Sequence, residues 1–234
     1  MWEPFFFMNT LALSITLLVN ICFLYYLLLH VRRKTGTLMI LFSSLCSTLF
    51  VLTATIELFV PIPLVSFSVA FVAPFLLMSF LLVAQTVPNK PLASSHLMQF
   101  VCASIMAVIV ATPGMVYENI IPTADGYVVL IAGPYASLFD LYLLGIIVAT
   151  LVTYYRRITR EENEGCRFIF KMLMTSFLIY IAGFTTALFI LPAFDINFFT
   201  NFVLSLSATI VVGTFAIMYT QRFTHTHESE CSLM

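Results

Sequence analysis

Charge is what this sequence has least of. Asp, Glu, Lys and Arg make up 9% of its 234 residues, hydrophobic residues make up 61%, and the mean hydropathy is +1.05. Soluble domains carry about 25% charged and about 45–50% apolar residues, so most of this surface has to face lipid rather than water. At about 20 residues per crossing the chain holds about seven spans, which leaves no room within it for a catalytic domain of about 100 residues. A net charge of -1 and a pI of 6.4 remove the electrostatic basis for nucleic-acid binding.

Catalytic and metal-binding patterns are missing as well. There is no Gly-x-Ser-x-Gly elbow, no Gly-rich phosphate loop and no His-Glu-x-x-His, so no catalytic residue is nominated. His30, His96, His225 and His227 fall at one boundary or in the tail and cannot meet around a midplane metal or haem; neither metal nor cofactor is expected. Cys22, Cys46 and Cys102 sit in apolar runs, and Cys166 and Cys231 sit in segments read below as cytoplasmic, so no disulfide framework is expected. The last apolar stretch has no lysine for a retinal Schiff base. The external cysteine pair, the Asp/Glu-Arg-Tyr and the Asn-Pro of rhodopsin-like receptors are also absent.

What the sequence does contain is seven apolar stretches separated by charge and proline. They run about Met8 to His30, Thr37 to Ile56, Leu64 to Ala84, Leu97 to Thr112, Ala136 to Tyr155, Phe168 to Leu191 and Phe198 to Tyr219. Each approaches the length a helix needs to cross about 30 Å of hydrocarbon at about 1.5 Å per residue. The pattern predicts an all-α membrane protein, a seven-transmembrane helix bundle. All ten Lys and Arg fall on one side of it: Arg32, Arg33, Lys34, Lys90, Arg156, Arg157, Arg160, Arg167, Lys171 and Arg222. The other side holds Glu3, Glu57, Glu118, Asp125 and Asp195. The positive-inside rule then sets the N-terminus outside and the C-terminus in the cytoplasm. Residues 1–223 read as one seven-transmembrane domain and 224–234 as a short cytoplasmic tail. The first stretch opens Met1-Trp2-Glu3-Pro4 and closes Val31-Arg32-Arg33-Lys34, the reverse of a signal peptide's charge order, and reads as a retained helix.

The outer connection from Pro113 to Tyr135 holds Pro122, Asp125-Gly126 and Gly133-Pro134 around an apolar run, Tyr127 to Ala132. Turn dipeptides flanking that run predict a short strand or a re-entrant cap, and so an ordered lid. A charge inside a bilayer costs about 3 kcal/mol or more, which makes each one a functional candidate. Glu57 ends the second stretch at the outer boundary, and Asp140 lies about one turn inside the fifth. With Tyr135 and Tyr142 these are the candidate ligand-binding residues. Asn20, Gln99 and Asn201 are polar at membrane depth and predict interhelical hydrogen bonds. Gly145, Gly183 and Gly213 predict close helix contacts, and Pro74 a kink in the third helix. On the inner side Arg156, Arg157, Arg160, Glu162 and Arg222 are the candidate contacts to anionic lipid or to a protein. The neighbouring Glu161 and Glu164 suit a protein partner better than a headgroup surface.

Several short patterns carry a family likeness: Gly133-Pro134 with Tyr135, Leu138-Phe139 with Tyr142, and Tyr154-Tyr155-Arg156-Arg157 before a polar inner loop. A sixth stretch ending Leu191-Pro192, a seventh finishing Ala216-Ile217 and a first closing on Tyr25-Tyr26 and Arg32-Arg33 extend it over nearly the whole chain. Together they resemble the seven-transmembrane N-terminal sensor region of bacterial histidine kinases, found also ahead of diguanylate cyclases. The resemblance implies a multi-pass sensor in the bacterial inner membrane that passes a change in its last helix to a cytoplasmic output. The sequence departs from that family beyond the seventh stretch, where Thr220 to Met234 hold no dimerisation helix and no nucleotide-binding domain. The implied role is therefore a non-enzymatic, receptor-like module that responds to a ligand or membrane state in its outer half. Its implied partners are the lipid bilayer and a cytoplasmic or membrane signalling protein, with homodimer formation left open and no nucleic acid. A small transporter or channel, or a structural subunit of a membrane complex, are the alternative readings. The inner half of the apolar stretches holds no carboxylate, which weakens proton-coupled transport.

Overall fold

The structure, a computed structural model, describes residues 3–30, 35–60, 63–87, 91–122, 128–194 and 200–223. Arg32 to Lys34, Lys90, Asp125, Asp195 and the 224–234 tail lie outside the described residues. Seven helices are long and apolar enough to cross a membrane. They are α1 (Glu3–His30), α2 (Thr35–Phe59), α3 (Pro63–Thr86), α4 (Ser94–Ala111), α5 (Ala136–Arg160), α6 (Glu164–Thr185) and α8 (Thr200–Phe223). The expected lid is a two-stranded antiparallel hairpin, β1 (Tyr117–Pro122) against β2 (Val128–Ala132). The protein is an all-α multi-pass bundle with one small hairpin at the α4–α5 connection.

Two helix ends differ from the sequence expectation for a common reason. α5 runs past Tyr155 to Arg160, and α6 begins at Glu164 rather than Phe168. Arg156, Arg157 and Arg160, expected in an inner loop, therefore stand on the last turns of a helix, where cations favour the negative end of the helix dipole. The turn that follows is short because Asn163 caps α6, its Oδ1 accepting from the backbone N–H of Gly165 at 2.8 Å and of Cys166 at 3.1 Å. Arg167 closes it by donating from Nε and a terminal nitrogen to the Glu161 carbonyl at 2.9 and 2.7 Å. Cys166 is disulfide-bonded, contrary to the sequence expectation; its partner lies outside the described residues.

Past α6 the helix widens into a π turn, Thr186–Ile190, and resumes as α7 (Leu191–Ala193). Pro192 has no N–H to continue the α ladder and its ring crowds the preceding turn, which is the ordinary origin of such a bulge. Thr200 at the start of α8 donates its hydroxyl to the Ala187 carbonyl in this widened turn at 3.4 Å. α3, by contrast, runs unbroken through Pro74.

α3 is the axis of the bundle. It packs against α2, α4 and α5, while α6 joins α5 to α8 and α1 lies along the seam of α2 and α8. The centre is aromatic: the Phe80 ring meets Phe177, Tyr180 and Phe215 edge-on, with centroids 5.2–6.0 Å apart, so three helices share one buried ring. In lipid such packing, rather than exclusion of water, holds helices together.

A polar knot ties α1, α2 and α8 at mid-depth. Asn20, fully buried, donates from Nδ2 to the Thr16 carbonyl at 2.9 Å and to Thr209 Oγ1 at 2.5 Å, and accepts from Ser47 Oγ at 2.9 Å. The expected interhelical bonding holds for Asn20. Two of the three glycines also act as expected. A Cβ on Gly183 would stand 2.7 Å from Ser207 Cβ on α8, and one on Gly213 would stand 2.8 Å from the Phe23 ring on α1. Gly145 departs from the expectation, with open space where its Cβ would be.

These facts set a paired prediction. Gly183→Ala should cost about 1–3 kcal/mol by forcing α6 from α8, whereas Gly145→Ala should be neutral or slightly stabilising. Thermal unfolding in one detergent measures both. Equal midpoints would remove the α6–α8 close approach from this account.

Candidate functional site

The sequence-nominated residues fall at three separate places. Glu57 is at the α2–α8 seam, where only 9% of its surface is exposed and its Oε2 accepts from Asn201 Nδ2 at 2.9 Å. This pairing is the interhelical bond expected of Asn201. Asp140, Tyr135 and Tyr142 are all at the outer part of α5, but they do not converge. Tyr135 is exposed at the N-cap of α5, Asp140 is exposed, and Tyr142 is partly buried against α3.

The hairpin reaches α5 through its own backbone. Gly133 N–H donates to the Val116 carbonyl at 2.7 Å and Tyr135 N–H to the Met115 carbonyl at 3.0 Å. Gly114, at φ 81°, turns the chain from α4 into β1 and donates to the Tyr117 carbonyl at 3.0 Å. A Cβ on Gly133 would run into the Met115 carbonyl oxygen, so the close pass requires glycine there. β1 rests on α3, and Tyr117 packs on the core edge. Burial pushes the Tyr117 phenol up to about 12, and the Asp140 carboxylate adds in the same direction by disfavouring a second negative charge.

Below the hairpin, Tyr142 points its hydroxyl at the Pro74 carbonyl of α3, 3.5 Å away and at the outer limit of hydrogen bonding. At the far end of the same helix pair, Arg157 turns back to α3. Its two terminal nitrogens donate to the carbonyls of Gln85 and Val87, and its guanidinium lies 5.2 Å from the centroid of the Phe170 ring on α6. The last carbonyls of a helix have no partner within it, and a guanidinium fork serves two at once. α3 and α5 are thus joined at three depths: the hairpin, Tyr142 with Pro74, and Arg157 with the end of α3.

Of the inner candidates, Arg156, Arg160 and Glu162 are exposed and Arg157 is committed inward. Arg222 stands on the last turn of α8. Sequence reasoning had grouped Arg157 with its neighbours. Its spacing carried the missed signal, because Thr150, Tyr154 and Arg157 recur at helical period and the first two are fully buried. Gln99 was expected to bond across helices, yet its carboxamide oxygen is buried without a hydrogen-bond partner. Among the described residues no group of three or more His, Cys, Asp or Glu is placed to hold a metal. No protein-family model matches the chain, and no curated protein is significantly similar to it.

The Tyr117–Asp140 relation is directly testable. Asp140→Asn should lower the Tyr117 titration midpoint while leaving it above the ordinary tyrosine value, because burial is the larger cause. Since the folded phenol titrates later than the unfolded one, its contribution to stability is complete below about pH 10 and declines as pH rises through that value toward 12. Alkaline difference absorbance between each background and its Tyr117→Phe counterpart isolates the one phenol. An unchanged midpoint in Asp140→Asn would place the carboxylate out of its reach.

Proposed function

We propose that this chain is a non-enzymatic multi-pass membrane sensor, responding to a ligand or membrane state at its outer hairpin and signalling to a cytoplasmic or membrane protein. The observation that carries the reading is the continuous α3–α5 connection, hairpin at one end and Arg157 clamp at the other. A displacement of β1 or of Asp140 has a stiff route to the inner turn between α5 and α6, where Arg156, Arg160 and Glu162 stand exposed. The placement of every Lys and Arg on one side supports an external N-terminus and a cytoplasmic C-terminus. The likeness to the histidine-kinase sensor region supports the same class, with the bacterial inner membrane as its location.

One observation favours a second reading. Glu57 with Asn201 at one depth, and Asn20, Ser47 and Thr209 deeper in the same α1–α2–α8 seam, are the kind of polar lining that a small transporter would need. These groups are satisfied by one another, which suits a structural seam better than a hydrated path.

A photocrosslinking amino acid at Glu162 separates the readings in cells. The sensor reading expects one distinct protein adduct whose yield changes in Asp140→Asn and in Tyr142→Phe and stays constant in Asp195→Asn. Recovery of lipid and self-adducts alone, in all four backgrounds, would sink it.

A further inference from the structure

α4 and α5 both lean on α3 and barely touch each other. Between them lies a cleft of about 260 Å³, floored by Met78 and Leu81 of α3 and walled by Ser95, Gln99 and Cys102 of α4 and Ile146 of α5. Its α4 wall is a single helix face, since positions 95, 99 and 102 recur at helical spacing and climb about 10 Å along the axis. Ser95 marks the polar end, at the first turn of α4, and the rest of the lining is hydrocarbon apart from Gln99 and the Cys102 thiol. Ser95 and Cys102 are exposed along its open side, so within these spans the cleft opens sideways into the bilayer.

Size decides what fits. A helix with side chains is about 10–12 Å across, and one turn of it would overfill the space, so neither a second copy's span nor a partner's can seat there. A linear hydrocarbon chain is slim enough and is what the surrounding solvent supplies. Gln99 adds the polar requirement: its buried carboxamide oxygen has no donor in the protein, and a buried acceptor left unmet costs about 1–3 kcal/mol. We infer that this cleft is a binding site for one acyl chain of a bilayer lipid, entered from the Ser95 end, with Gln99 accepting a hydrogen bond from a hydroxyl or amide donor near the lipid's polar end. With the N-terminus outside, the Ser95 end is cytoplasmic and the lipid belongs to the inner leaflet. The occupied chain keeps α4 and α5 apart on α3, the axis of the proposed transmission path. The site requires the seven spans and does not require the sensor reading.

The test uses the full chain in phosphatidylcholine vesicles doped with a diazirine-tailed diacylglycerol, whose free hydroxyl supplies the donor. Leu97 and Met98 are 68% and 69% exposed, and only Met98 borders the cleft, so nonspecific contact with bulk lipid labels them alike. The site predicts a several-fold excess of adduct at Met98 and Cys102 over Leu97 and Val101. That excess should be lost in Ile146→Trp, which fills the cleft, and reduced several-fold in Gln99→Leu. Even labelling of the four positions in the unaltered chain would overturn the proposal whether or not the filled variant folds. Excess labelling that persists in a folded Ile146→Trp would overturn it equally.

Discussion

The guanidinium of Arg157 is the interaction on which the arrangement of the bundle turns. A helix that ends near hydrocarbon leaves carbonyls that water cannot reach, and each unmet group is costly. Arg157 answers two of them at the end of α3 while lying against Phe170. One side chain thereby fixes the relative height of α3, α5 and α6. With that height set, Tyr142 comes level with Pro74, and the hairpin, tied to α5 at Tyr135, comes to rest on the outer end of α3. A lysine at the same place would carry the charge but could not match the fork.

The remaining contacts solve a different problem, the absence of a hydrophobic drive between helices in lipid. The aromatic ring set around Phe80 supplies dispersion contacts, Gly183 and Gly213 let backbones close in, and Asn20 supplies a shared hydrogen-bonded knot. α4 stands apart from this scheme. It packs chiefly on α3, with Phe100 touching Phe42 of α2, and keeps Leu97, Met98, Val101, Ile105 and Val108 exposed. Its free side toward α5 is where the bundle leaves room for something other than itself.

The seven spans were legible because charge and proline interrupt apolar runs whose length is set by the bilayer. The hairpin was legible because Asp125-Gly126 and Gly133-Pro134 bracket an apolar run. The helix ends were less so: Arg156 to Arg160 look like a loop by polarity, yet a basic last turn is stabilised by the helix dipole and by snorkelling stems. Pairings across the chain were not legible at all. Nothing local in Glu57 points to Asn201, or in Asn20 to Ser47 and Thr209, since those partners are chosen by how the helices stack. Gly145 could not be told from Gly183 for the same reason, because a glycine's use depends on what faces it.

The central claim is that the outer hairpin and the inner turn are coupled through α3 and α5. A pulsed electron-resonance distance between spin labels at Leu38 on α2 and Tyr155 on α5, both exposed, reads the inner end of that pair in a bilayer. Comparison with Tyr117→Ala, which weakens the hairpin's seat on the core, tests the coupling. The account predicts a shifted or broadened distribution in Tyr117→Ala, and no further response to that substitution once Arg157→Leu has released the clamp. An unchanged Leu38–Tyr155 distribution in a folded Tyr117→Ala protein would contradict it.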